Sequence, residues 1–263
     1  MSCTNSVASE DFADFIAPYF TTPEEFIRSQ GTDCIDFVNS TLAVVYVPLS
    51  TVTPSTYTSY TYSAVPKLYS LLDVTSMDAA GITPAGELPV LNNQGAGVIV
   101  GFVDTGINYT DSLFRNVDGS TRIIGIWDQT NNSDNSNNIE NETAKPFSAF
   151  SALYGTQYTA EEINLALNSD NPASIVPTRD ENGHGTFLAG VAAASETADY
   201  IGAAPEAEIL MVKLKPAKKY LRDFYLFPRE AEVFQEDDIM LAIAYVLRVA
   251  AENQKPLSIC IGL

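Results

Sequence analysis

Two short segments hold the residues best suited to chemistry. The first is Val98-Ile-Val-Gly-Phe-Val-Asp104-Thr-Gly106-Ile, an apolar run that ends in an aspartate. The second is Asn182-Gly-His184-Gly-Thr-Phe-Leu-Ala-Gly190-Val-Ala-Ala-Ala, in which the chain's single histidine opens a stretch of small residues. An imidazole is a natural general base near neutral pH, and a buried carboxylate can fix its tautomer and orientation. The glycines on either side of His184 would let backbone and substrate come close to the ring. A carboxylate and an imidazole of this kind form two thirds of the apparatus that activates a serine hydroxyl. The third part would be a nucleophilic serine, and the sequence contains no G-x-S-x-G elbow to mark one.

Such residues work only if they are held in place, and the pattern around them specifies how. Val98 to Val103, Ile123 to Trp127, Ile209 to Leu214 and Leu257 to Ile261 are continuous apolar runs, as expected of strands buried on both faces of a parallel sheet. Thr186 to Ser195 and Glu236 to Asn253 read as helices between them. Strands alternating with helices predict an α/β doubly wound sheet, in which working residues sit at the carboxyl ends of strands. Asp104 stands at such an end.

Residues from about Glu10 to Pro66 read as a separate small α/β unit. Asp11 to Pro18 is a strand by its partial alternation. Thr22 to Gly31 has the cap, early proline, early acids and terminal glycine of a short helix. Cys34 to Val38 and Thr41 to Val47 flank Asn39-Ser40 as a hairpin, and Ser59 to Val65 is expected as a last strand. Lys67 to Gly97 is rich in turn formers and reads as a crossing between units. Gln129 to Asn141 is mostly Asn, Ser and Asp and is expected to be a solvated loop.

Composition limits the function. Lys and Arg total 14 against 33 Asp and Glu, a net charge of -19, which leaves nothing to neutralise phosphates and argues against nucleic-acid binding. No apolar run reaches the length of a membrane span, and Met1 to Glu10 lacks the pattern of a secretory signal. A cytoplasmic location is the corresponding expectation. Cys3, Cys34 and Cys260 form no metal motif and no disulfide framework, and no cofactor or metal is implied.

Asp104 in its strand context, followed by His184 in its helix context, resembles the subtilisin-like serine proteases (subtilases, peptidase family S8). The resemblance covers Lys67 to Leu263. Gly202-Ala-Ala-Pro205-Glu-Ala-Glu-Ile-Leu-Met-Val-Lys213 is similar to the family's Gly-x-Ala-Pro segment. Pro256-Leu-Ser-Ile-Cys-Ile-Gly-Leu263 is similar to the strand that walls the S1 pocket, with Gly262 where the family often has serine. The family's His-Gly-Thr-His reads His184-Gly-Thr-Phe187 here. The resemblance implies Asp104 as orienter, His184 as base, Ile261, Gly262 and Leu263 as substrate-binding wall, and a nucleophilic serine in a Gly-Thr-Ser setting, which is absent from this sequence and expected beyond Leu263. It implies an α/β fold with a subtilisin-like parallel sheet sandwiched by helices, incomplete in this chain, preceded by a small open-sandwich prodomain. The domains would be 1–66 and 67–263, with a polypeptide substrate and the chain's own prodomain in the cleft as partners. Lys213 to Tyr225 and Glu236 to Met240 resemble the clostridial Csp-type subtilases, whose active members cleave a cortex-hydrolase precursor in spore germination; this resemblance implies a spore-associated location as the alternative to a cytoplasmic one.

Two alternatives stand beside a serine endopeptidase. One is a catalytically inactive subtilase-like scaffold or sensor. The other is an aspartic protease, since an apolar pair followed by Asp104-Thr105-Gly106, with Ile123-Ile124-Gly125 later, also fits that signature. The latter requires an all-β fold and a second aspartate sharing one proton.

Overall fold

The computed structural model describes residues 6–53, 56, 60–69, 94–131, 154–197, 200–228 and 230–263. Most of the expected crossing (70–93) and most of the Asn-rich stretch (132–141) lie outside the described residues, as does Cys3. The chain divides into two compact units. One comprises the described residues of 1–69, 132–155 and 216–244, the other those of 70–131, 156–215 and 245–263.

The first unit begins with β1 (Phe12–Pro18), α1 (Pro23–Gln30), β2 (Ile35–Phe37) and β3 (Leu42–Pro48), the strands forming an antiparallel sheet in the order β1-β3-β2. Helix α1 starts where the sequence predicts. Thr22 and Glu25 form a reciprocal capping box, and Gly31 ends the helix in the left-handed conformation. The β2–β3 turn is made by Asn39, whose Oδ1 accepts the amides of Thr41 and Leu42 at 2.8 and 2.9 Å. The expected strand over Ser59 to Val65 is not formed. Thr61 takes φ +67°, which breaks extension, and Tyr62–Ala64 is a single 3₁₀ turn. Ala64 and Val65 instead join an apolar cluster with Ala13, Phe15 and Leu221.

Leu221 belongs to α4 (Lys219–Phe224), and the short pair β4 (Leu68–Tyr69) and β9 (Phe234–Gln235) ties the same region together. The sheet face bearing Asp14, Asp36 and Tyr46 is polar yet buried. Lys218 Nζ meets Asp14 Oδ1 at 2.5 Å, Gln235 Nε2 donates to Asp14 Oδ2 at 2.7 Å, and the Tyr46 hydroxyl donates to Asp36 Oδ2 at 2.7 Å. Burying charges is tolerable only with such partners.

The second unit is built on a sheet of five strands in the order β10-β5-β8-β6-β7. Strands β5 (Ile99–Asp104), β6 (Ile123–Asp128), β8 (Glu208–Lys213) and β10 (Leu257–Ile261) are the four apolar runs, and each adjacent pair among them is parallel. The edge strand β7 (Thr156–Thr159) runs antiparallel to β6 and was not legible in the sequence, being four residues of mostly polar type. The helices are α2 (Ala160–Leu167), α3 (His184–Ala193) and the later part of α5 (Glu236–Glu252).

Alternation assigns the faces. Val100, Phe102, Ile209, Met211, Ile123 and Ile126 share a core with Ala189 and Ala193 of α3 and Ile163 and Ala166 of α2. Gly101, on the opposite face of β5, lies against Val246 of α5. Each large side chain so buried stabilises by about 1.5–3 kcal/mol, enough in sum to fix the strand order. Strand β10 is less covered, and Ile261 is 40% exposed. A parallel sheet with helices on both faces excludes the all-β aspartic-protease alternative.

Asp36 generates a test of the first unit. Burial drives its carboxyl up to about 6 from 3.8, with Asp14 and Asp238 adding to the rise and the Tyr46 hydroxyl opposing it. The folded form therefore holds a proton that the unfolded form has released, and stability falls as pH rises from 3.8 through 6. Asp36→Asn keeps an acceptor for Tyr46 and removes the charge. Its unfolding free energy relative to wild type is expected to grow by about 1 kcal/mol between pH 5 and 7.5 in urea titrations. A constant difference across that range would refute the assignment.

Candidate active site

The carboxyl end of β5 and the start of α3 come together in the second unit. His184 Nδ1 lies 2.9 Å from Asp104 Oδ1 and 3.1 Å from Oδ2. Asp104 keeps 1% of its side-chain surface exposed and His184 keeps 17%. An ionised carboxylate can only accept, so Nδ1 must carry the proton of this bond. A neutral ring then leaves Nε2 with a lone pair, able to take a proton from a hydroxyl brought to it. Burial pushes the Asp104 carboxyl above its usual range, while hydrogen bonds from His184 and the Thr105 amide pull it back.

Glycine makes the approach possible. A Cβ on Gly185 would sit 2.2 Å from the Gly106 carbonyl oxygen and 3.1 Å from Asp104 Oδ1. Gly106 itself has φ +129°, a conformation that residues with a Cβ rarely adopt. The strand end and the helix start thus meet backbone to backbone, which neither chain segment could do with side chains in the way.

The start of α3 is satisfied without a cap on its own first residue. Gly183 is the N-cap at φ +88° and offers no side chain. The His184 amide donates to Asn182 Oδ1 at 3.2 Å and the Gly185 amide to Thr105 Oγ1 at 2.9 Å. Asp180 accepts the amides of Gly183 and Thr186 at 2.9 and 2.8 Å. All four amides normally orphaned at a helix start are therefore paired. At the other end, the Arg122 guanidinium donates to the carbonyls of Ala193, Ala207 and Leu113 and to Ser195 Oγ. A cation at that terminus suits the helix dipole.

Of the sequence-predicted residues, the structure brings together Asp104, His184 and Gly262. A Cβ on Gly262 would lie 2.2 Å from Asp104 Oδ2 and 3.1 Å from His184 Cε1, so its lack of a side chain is what the space allows. Ile261 ends β10 beside Val103, and Leu263 follows Gly262 half-buried. Sequence reading passed over Thr105, Asp180 and Arg122. For Asp180 a signal existed, a carboxylate three residues before a glycine that opens a helix. For Arg122 none did, because its partners are carbonyls distant in sequence. Among the described residues, no cluster of His, Cys, Asp and Glu could hold a metal ion, and no helix is long and apolar enough to cross a membrane.

Residues 95–223 match the model of the subtilase family. The segment includes both motifs. Among solved structures, the chain is similar to the CspB protease of Clostridium perfringens, with 31% sequence identity and a TM-score of 0.51. The likeness covers 71% of this chain and 33% of that one, so the chain spans about a third of the length of the protein it matches. No curated protein matches the sequence. The fold is subtilisin-like, and the resemblance to a Csp-type protease holds at the level of both sequence and structure.

The helix supplies its own control experiment. Gly185→Ala forces backbone apart and is expected to destabilise by about 1–3 kcal/mol. Gly190→Ala, where an added Cβ meets nothing within 4 Å, is expected to stabilise by about 0.5–1 kcal/mol. Thermal denaturation of the two variants measures both, and equal effects would contradict the packing described.

Proposed function

We propose that this chain supplies the prodomain and the Asp–His half of the catalytic domain of a subtilisin-like serine endopeptidase. Residues 1–66 are the prodomain and 67–263 the first part of the catalytic domain. Asp104 orients the imidazole, His184 is the general base, and a serine outside this chain is the nucleophile. The observation that carries this reading is the 2.9 Å contact between His184 Nδ1 and Asp104 Oδ1, made by the two motifs that resemble the family's.

In the proposed reaction His184 Nε2 removes the serine proton as the hydroxyl oxygen attacks the scissile carbonyl. The imidazolium, steadied by Asp104, then returns the proton to the leaving amine. Ile261, Gly262 and Leu263 form one wall of the pocket for the residue before the cleaved bond. The substrate is a polypeptide, and similarity to a Csp-type protease supports a proenzyme of spore-cortex hydrolysis as its class. The presence of both Asp104 and His184 favours an active enzyme over an inactive scaffold.

Three measurements test the proposal. The full-length protein should hydrolyse peptides and react with a fluorophosphonate, and His184→Ala should lower kcat by roughly 10⁴-fold or more. Turnover that survives this substitution would remove His184 from the mechanism. Residues 1–263 alone should show no hydrolysis, since nucleophile and oxyanion donors are lacking; fluorophosphonate-sensitive turnover by this segment would show that the nucleophile lies within it. N-terminal sequencing of the mature enzyme should place the processed end between Val65 and Asp73, and activity without any cleavage there would count against the prodomain assignment.

A further inference from the structure

Asp180 accepts four hydrogen bonds beside the Asp104–His184 pair. Its Oδ1 accepts from the Thr105 hydroxyl at 2.8 Å and the Gly183 amide at 2.9 Å. Its Oδ2 accepts from the Thr186 amide at 2.8 Å and the Thr186 hydroxyl at 2.6 Å. The donors come from two elements. Thr105 directly follows Asp104 at the end of β5, while Gly183 and Thr186 bracket His184 at the start of α3.

Thr105 completes the link. Its amide donates to Asp104 Oδ1 at 2.7 Å, and its hydroxyl oxygen accepts the Gly185 amide at 2.9 Å while donating to Asp180. Thr186 Oγ1 likewise accepts the Asn108 amide at 2.9 Å, a second tie between the segment after β5 and the helix. The residues bonded to this carboxylate are therefore sequence neighbours of the aspartate on one side and of the histidine on the other. A helix cap needs only the amides of Gly183 and Thr186. The bond to the Thr105 hydroxyl is additional, and it is the one that crosses from helix to strand.

We propose that Asp180 is a positioning residue: through the Thr105 hydroxyl it clamps the strand end carrying Asp104 to the helix start carrying His184, and so sets the distance and tilt of the pair. Four donors converging on it favour the ionised acceptor. Although burial opposes this, the bonds from Thr186, Gly183 and Thr105 hold its carboxyl below the ordinary carboxylate range. This role rests on the endopeptidase reading for its functional consequence, but the geometry can be tested without turnover.

The test uses ¹⁵N-histidine-labelled full-length protein, with the His184 resonance assigned by its loss in His184→Gln. In wild type the Nδ1 proton is held against Asp104 and exchanges slowly with solvent. In Asp180→Asn an amide nitrogen takes the place of one oxygen and cannot accept, so the side chain can no longer hold the Thr105 hydroxyl and Gly183 amide on one side and Thr186 on the other; exchange is expected to be at least about tenfold faster, one tenfold step corresponding to loss of a single modest hydrogen bond. Thr105→Val should do the same with no change of charge, which separates geometry from Coulomb effects, and Thr105→Ser should recover the protection. For peptide hydrolysis, Asp180→Asn and Thr105→Val should lower kcat about 100-fold with KM within about twofold. If Asp180→Asn fails to fold, Thr105→Val still tests the clamp: it keeps Asp180 on Gly183 and Thr186, removes the Thr105 bond to Asp180 together with the acceptor of the Gly185 amide, and a wild-type exchange rate there would overturn the proposal. Wild-type exchange in both variants would overturn the proposal, as would a fall in kcat with exchange unchanged. Wild-type protein with a protected proton and no hydrolysis would refute the endopeptidase reading alone, and the exchange rates would still decide the role of Asp180.

Discussion

The site depends on one close approach. The backbone of Gly106, just past a strand, and that of Gly185, one residue into a helix, meet so tightly that a Cβ on Gly185 would come within 2.2 Å of the Gly106 carbonyl oxygen. Hydrogen-bond geometry between a carboxylate and an imidazole tolerates displacements of only a few tenths of an ångström. Side chains as short as those of Asp104 and His184 cannot compensate for separated backbones. The two glycines thus set the distance, and the surrounding hydrogen bonds set the orientation.

The helix that presents His184 is held at both termini by groups other than its own. Its first amides are taken by Asn182, Thr105 and Asp180, and its last carbonyl by Arg122. Between these ends its small residues let it lie close to β5 and β8, where Ala189 and Ala193 are fully buried. Of its buried residues only Leu188 is large; Gly185, Ala189 and Ala193 bury little apolar area and contribute little packing energy. The polar bonds at its ends add what this packing lacks, since they are directional where dispersion contacts are not.

The two compact units solve burial in different ways. In the second, the sheet interior is apolar and the polar groups gather at the strand ends. In the first, Asp14, Asp36 and Tyr46 lie on a buried sheet face; Asp14 is bonded to Lys218 and Gln235, residues more than 200 positions later, and Asp36 to the Tyr46 hydroxyl. Such an arrangement is specific, since an apolar partner would leave the carboxylates uncompensated. It also makes the unit sensitive to pH in a way that a purely apolar interface is not.

Much of this was written in local sequence. The four parallel strands announce themselves as unbroken apolar runs, α1 by its Thr22–Glu25 box and Gly31, and the Asp104 and His184 motifs by their immediate neighbours. These are short-range signals, set by residues a few positions apart. Other features were not legible because they are defined by partners distant in the chain. Strand β7 is too short and polar to signal itself and exists through its pairing with β6. The stretch before Val65 has strand-like composition but turns at Thr61, where packing of Ala64 and Val65 against Phe15 and Leu221 outweighs local preference. Thr105 and Asp180 look in sequence like ordinary turn and cap residues. Sequence alone determined which groups could do chemistry and which elements would carry them. Only the tertiary structure decided that a strand end and a helix start would meet without side chains between them, because that contact depends on the whole sheet being assembled in its order.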